Sequence, residues 1–185
     1  MKKQALIIAL LAAAGFASTS AFASDGTITF TGEIRTTTCS VSGGGGTIPG
    51  AGGSFGVNLV PVQASALAAA GQFAGSKNYD INIGGGTTCP DGTDVAIKYE
   101  STSPAVDGIT GNLMNTAATG AANVQLQLMD RAINAPIDLR LDGNSSTVTV
   151  AGGTAVVPFA VRYMATGVAG AGAVQSAVQY SLTFP

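Results

Sequence analysis

Two cysteines, Cys39 and Cys89, are the most reactive side chains in this 185-residue chain, and there is no histidine to work with them. That absence removes the common Ser-His-Asp hydrolase triad and the imidazole that usually activates a catalytic thiol. It also leaves a metal site short of ligands. A Ser-Lys arrangement is formally open, with Lys77 and Lys98 as the lysines, but no spacing supports it. Asp91 and Asp94 could be a carboxylate pair or part of a calcium loop; without the DxDxDG ladder they read as a polar turn. Asp130-Arg131 and Asp138 with Arg140 read as solvated or structural ion pairs, each worth little at a surface. Residues 71–77, GQFAGSK, fall one residue short of a phosphate-binding loop. The glycine-dominated residues 42–56 lack that spacing too and read as a flexible surface loop. The expectation is a protein that is not an enzyme and holds neither metal nor cofactor.

The chemistry left to the cysteines depends on compartment. Lys2 and Lys3 precede a short apolar run over residues 5–14, and Ala21-Phe22-Ala23 supplies the small-x-small pattern of a signal peptidase site. Residues 1–23 therefore read as an export signal cut between Ala23 and Ser24. The apolar run is shorter than the ~20 residues needed to span a bilayer, and no second run of that length follows, so no membrane span is expected in the mature chain. In an oxidising compartment an even pair of cysteines reads as a Cys39–Cys89 disulfide. Closing a loop of ~50 residues should stabilise the fold by roughly 4 kcal/mol through the unfolded state.

The mature chain suits one domain. Removing Lys2 and Lys3 leaves 8 − 2 = 6 basic residues against 10 acidic ones, a formal charge of −4 with no basic patch; this argues against nucleic-acid binding. Charged residues make up 10% of the chain, well below the roughly 25% usual in soluble proteins. With 46% hydrophobic residues, the composition suits a surface that spends its life against other protein.

The elements that would position these residues are strands, because apolar side chains recur with a period of two. Ile28, Phe30 and Ile34 share a face with Gly32, while Thr27, Thr29, Thr31, Glu33 and Arg35 take the other. Alternation returns at residues 57–60, 78–84 (Tyr79, Ile81, Ile83), 95–99, 123–130 (Val124, Leu126, Leu128), 148–150 and 157–165. In residues 136–142, Ile137, Leu139 and Leu141 are expected to share a face. The final strand alternates most cleanly, with Val174, Val178, Tyr180, Leu182 and Phe184 against Gln175, Gln179, Ser181 and Thr183. Residues 64–70 suit a brief helix stopped by Gly71, and residues 101–120 a long polar connection. Many short strands, each with one apolar face, predict an all-β, antiparallel β-sandwich of immunoglobulin-like type, although the tryptophan that often marks that fold is missing.

Across nearly the whole mature chain the sequence resembles major fimbrial subunits of the chaperone–usher class, close to the type 1 pilins. The matching segments are GTITFTGEI at residues 26–34, Cys39-Ser40-Val41, YDINIGGGTTC at 79–89, NVQLQLMD at 123–130, PFAVRYMATG at 158–167 and the strand opening at Gly172. The resemblance implies a sandwich lacking its final strand, completed in trans by donor-strand exchange. Residues 24–34 would be the N-terminal donor-strand extension and residues 35–185 the pilin domain. Ile28, Phe30 and Ile34 would enter a neighbour's groove, with Gly32 where that groove is too shallow for a side chain. Gly172, Val174, Val178, Tyr180, Leu182 and Phe184 would line the groove and be gripped by a chaperone. The implied partners are neighbouring pilin subunits, a periplasmic chaperone and an outer-membrane usher, and the implied destination, reached through the periplasm, is a cell-surface fimbrium that supports adhesion. The alternatives are a minor or adaptor subunit, or a stand-alone secreted carbohydrate-binding sandwich. The few residues between Ala23 and Ile28 hold no lectin domain. Phe184-Pro185 departs from the family's penultimate tyrosine: the apolar contact is kept, the hydroxyl is lost, and proline donates no backbone hydrogen bond.

Overall fold

Period-two stretches become strands wherever an edge is available to pair with. The computed structural model describes residues 39–85, 89–141 and 143–185, all inside the compact unit Arg35–Pro185. The strands are β1 (Val41–Gly43), β2 (Ile48–Pro49), β3 (Phe55–Gly56), β4 (Phe73–Gly84), β5 (Asp94–Tyr99), β6 (Leu113–Met114), β7 (Val124–Asp130), β8 (Ala135–Pro136), β9 (Val148–Thr149), β10 (Thr154–Ala165) and β11 (Tyr180–Thr183). One sheet runs β1-β4-β10-β7-β6, with β8 also on β7; a second runs β11-β5-β9, and β2 and β3 form a small hairpin. Every ladder between these strands is antiparallel.

The apolar faces of the two main sheets meet in one core. Phe159 on β10 is fully buried, and its ring sits 5.5 Å from that of Tyr79 on β4 and 5.4 Å from that of Tyr99 on β5. It thus joins the sheets at their centre. Ile81, Val95 and Ile97 are equally buried. Burying each such side chain is worth on the order of 1.5–3 kcal/mol. The Cys39–Cys89 disulfide ties the chain just before β1 to the approach to β5. No helix among the described residues is long and apolar enough to cross a membrane; the helical content of those residues is two 3₁₀ turns, Ala64–Leu67 and Leu139–Leu141.

Several local expectations are corrected. Ile137 and Leu139 are buried but Leu141 is 78% exposed. The segment turns into a 3₁₀ helix, in which residues two apart point in different directions. The polar connection at 101–120 contains β6. Asp130 forms no surface pair with Arg131. It is 2% exposed and accepts the backbone N–H groups of Ala132 at 2.8 Å and Ser146 at 2.5 Å, while Arg131 pairs with Asp80 at 3.2 Å. The Asp138–Arg140 pair is present at 2.5 Å. Asp91 is a turn residue that accepts the Gly153 N–H at 2.7 Å, whereas Asp94, expected in the same turn, opens β5 opposite Thr149 and accepts its hydroxyl at 2.7 Å.

Candidate functional site

The glycine-rich residues expected as a free loop are instead built into the wall of a groove. Residues 42–56 supply the end of β1 and the β2–β3 hairpin; beyond them, Val57 and Leu59 turn inward while Asn58 and Val60 turn out. This is the alternation predicted for a strand at 57–60. Among the described residues, however, residues 57–60 pair with no strand and their backbone groups make no hydrogen bond. A strand-like segment without a ladder has the side-chain pattern but no edge to dock on.

Facing it is the chain's last apolar run. Here the odd-numbered residues hold the backbone to the sheet. Gln175 O accepts from Thr116 N at 2.8 Å, Gln179 O accepts from Glu100 N at 2.9 Å, and Ser181 and Thr183 sit in the β11–β5 ladder opposite Lys98 and Ala96. In an extended chain successive residues turn their N–H and C=O groups to opposite sides. Val174, Ser176 and Val178 therefore turn theirs to the other side, where they meet no partner among the described residues. The side chains of Val174, Val178, Tyr180, Leu182 and Phe184 are half-buried and pack on the core.

Between these two unpaired edges lies an open groove of about 1360 Å³. Tyr79, Tyr99, Leu113, Leu126, Leu128, Val161 and Tyr163 form its floor, drawn from both sheets. The hydroxyls of Tyr79 and Tyr99 satisfy each other at 2.8 Å, and burial pushes both phenols well above their ordinary ionisation range. Glu100 is the one charged residue among those lining the groove, and it is already engaged by the Ser181 hydroxyl and, at 3.7 Å, by Lys98. The groove therefore offers an apolar floor and two edges of open backbone donors and acceptors. That is the template for an added β-strand.

One side chain crosses from edge to edge. The Tyr180 hydroxyl donates to the Gly53 carbonyl oxygen, and its ring lies 5.7 Å from that of Phe55. Gly53 has φ +82°, and a Cβ there would press against Val41 O at 3.3 Å and the Tyr180 hydroxyl at 3.4 Å; glycine suits the position on both counts. At the far end, Gly172 lies against backbone: a Cβ would fall 2.6 Å from Ala121 N.

Of the residues singled out from sequence, Gly172, Val174, Val178, Tyr180, Leu182 and Phe184 thus lie in or beside one wall. Ile28, Phe30, Gly32 and Ile34, with Ala23 and Ser24, lie outside the described residues. The opposite wall, Gly53 to Leu59, was not singled out as a site. Its only signal in the sequence is the alternation of Phe55, Val57 and Leu59 within a glycine-rich context.

No protein-family model matches the chain. Individual proteins do. It is 39% identical over 183 residues to the major fimbrial subunit SMF-1 of Stenotrophomonas maltophilia, covering 95% of this chain and 99% of that one. It is 34% identical to the F17 fimbrial protein of Escherichia coli over 100% of this chain and 99% of the relative, and 32% identical to the type-1 fimbrial protein A chain of Escherichia coli K12 over the full length of both. In structure it resembles the Burkholderia pseudomallei antigen and type I fimbria protein, with a TM-score of 0.55 and 25% identity over 80% of this chain and all of that one. It shares its fold with the P pilus rod subunit PapA, with a TM-score of 0.54 and 18% identity over 80% of this chain and 99% of that one. The fold and groove define a pilin-type incomplete sandwich. The chain belongs to the family of chaperone–usher fimbrial subunits, in its type 1-like group.

Proposed function

We propose that the protein is a structural subunit of a cell-surface fimbria, polymerising when residues 24–34 of one copy fill the groove of the next. The groove between two unpaired edges carries this reading. Donor-strand complementation in pilins is an established instance of β-strand addition, and the backbone groups left open at Val174, Ser176 and Val178 are those such a strand would pair with. Ile28, Phe30 and Ile34 would supply the apolar side chains, each worth on the order of 1.5–3 kcal/mol once buried. In the same scheme residues 1–23 are removed on export, residues 35–185 form the pilin domain, and a periplasmic chaperone holds the wall from Gly172 to Phe184 until an outer-membrane usher brings subunits together. The relatives named above are fimbrial subunits, and the chemistry of the groove is strand binding with no reaction to catalyse.

The test is to express the mature chain with and without residues 24–34 alongside its chaperone, and to examine fibres by electron microscopy. The truncated subunit should still be recovered with chaperone while fibres stop growing. Fibres of normal length from the truncated chain would refute the reading.

A further inference from the structure

Resting on the reading of the groove as a strand receptor, we propose that Ser103 and Asn115 are positioning residues. Their side chains stand in for a missing strand edge and hold the wall at residues 172–179 ready for the incoming strand.

The need arises because the wall outruns its neighbour. β11 pairs with β5 only as far as Tyr180 opposite Tyr99. Past Glu100 the chain turns away from the wall: the Ser103 N–H donates to Glu100 O at 3.1 Å, and Pro104 follows with no N–H to offer a ladder. Residues 172–179 therefore have an open groove on one side and no strand on the other. An extended segment bonded on neither side frays.

Polar side chains from the connection between β5 and β7 supply what the ladder lacks. In an antiparallel ladder the outward N–H groups would meet backbone carbonyls. Here the Gln179 N–H donates to Ser103 Oγ at 2.9 Å and the Gln175 N–H to Asn115 Oδ1 at 3.0 Å. Ser103 is buried. Asn115 uses its whole amide: Oδ1 also accepts the Ala117 N–H at 3.2 Å, while Nδ2 donates to Ala121 O at 3.1 Å and to Ala173 O at 2.9 Å. Two of these bonds shape its own loop and two grip the wall. Only one orientation of the amide allows this, because turning it over would set donor against donor. It is closely seated, since a Cβ on Gly120 would fall 2.6 Å from Nδ2. Thr116 adds its hydroxyl to Gln175 O at 3.0 Å. The wall is thus pinned at residues 173, 175 and 179 and loose between them. Ala177 has no backbone partner among the described residues, and Ser176 Oγ is buried without one.

Odd-numbered residues are gripped and even-numbered ones are left open, so the pins use no backbone group that a strand would need. A receptor edge set in advance lowers the ordering cost of binding. Ser103 and Asn115 therefore bear on strand capture as well as on local order.

The same alternation lets hydrogen exchange separate this clasp from the donor-strand reading. Residue-resolved exchange is measured by mass spectrometry on the chain from Ser24, kept dilute enough to stay single, both empty and with a peptide spanning residues 24–34. Asn115→Ala should speed exchange at Gln175 about fivefold, the effect of one ordinary hydrogen bond, and leave Gln179 unchanged; Ser103→Ala should do the reverse. Ser181 and Thr183, held in the β11–β5 ladder, should respond to neither. Peptide association with the double variant should be at least about tenfold slower than with the parent chain, two such bonds being lost. Unchanged exchange at Gln175 and Gln179, or faster exchange spread evenly to Ser181 and Thr183, would overturn the clasp. Loosened amides with an unaltered association rate would overturn its role in capture. If the double variant does not fold, the single variants decide in the same way, each at least about threefold slower in association. Protection of the Val174, Ser176 and Val178 amides by the peptide reports on the donor-strand reading itself. Its absence in the parent chain would remove that reading, while Gln175 and Gln179 would still decide whether the clasp exists.

Discussion

Placing one charge on the groove face of the last strand, and the same charge one residue later, separates assembly from folding. Val178 is half-buried and packs on the core beside the groove, whereas the next residue, Gln179, is exposed. In the empty subunit an aspartate at position 178 has the open groove of about 1360 Å³ beside it and can stay hydrated, so Val178→Asp should cost the fold only about 1 kcal/mol in lost apolar contact. When a strand enters, that water is displaced and the carboxylate is held against an apolar floor with no cation facing it. Unlike lysine or arginine, aspartate is too short to reach back to solvent. The penalty for a buried unpaired charge is several kcal/mol after relaxation; taking about 4 kcal/mol, strand retention should weaken about 1,000-fold. Gln179→Asp carries the same charge on the outer face and should change retention by less than about 0.5 kcal/mol. The assay is the dissociation rate of a fluorescent peptide spanning residues 24–34 from the full chain, since such differences appear mainly in the off-rate, with guanidinium unfolding of the empty subunit as the control. Equal dissociation rates for the two aspartate variants would refute the assignment of groove and outer faces.

Two further outcomes follow from the same geometry. Gly172→Ala should destabilise the subunit by about 1–3 kcal/mol, because the new Cβ would fall 2.6 Å from Ala121 N and 2.8 Å from Gly120 C and neither backbone atom can step aside cheaply; an unchanged guanidinium midpoint would contradict the close approach. Stability should be fully retained below pH 10 and fall as pH rises further, because Tyr79 and Tyr99 ionise freely only when unfolded, while burial raises their folded pKa values above 10.0. The folded state then binds more protons than the unfolded one, giving a slope of up to about 1.4 kcal/mol per pH unit for each tyrosine. Replacing both by phenylalanine should flatten the alkaline limb, and a slope left unaltered by that double change would rule out these two groups as its source.

Much of the fold was legible because a strand writes its exposure into its own residues. Val124, Leu126 and Leu128 are buried on β7 as their spacing predicts, and Phe159, Val161 and Tyr163 likewise on β10. The failures occur where the side-chain pattern does not decide the backbone. Ile137, Leu139 and Leu141 have strand spacing yet close a 3₁₀ turn. Residues 73–77 extend β4 through Gly75, whose φ of +62° lies beside an irregular register with β10. Asp130 looked like half of a surface pair because Arg131 follows it; it is buried because the N–H groups of Ala132 and Ser146 need an acceptor there.

The sequence by itself determined the cysteine pair, the all-β character and the apolar face of the last strand. Those are properties of residue type and of a two-residue period, and they exist before any strand finds a partner. Only the tertiary structure decided that residues 57–60 stay unpaired, that the glycine-rich stretch becomes a wall, that Tyr180 bridges to Gly53 and that the Ser176 hydroxyl is left alone. Alternation tells a strand which face to bury. Which edge it pairs with, and which edge is left open, depends on where segments distant in sequence bring their backbone groups.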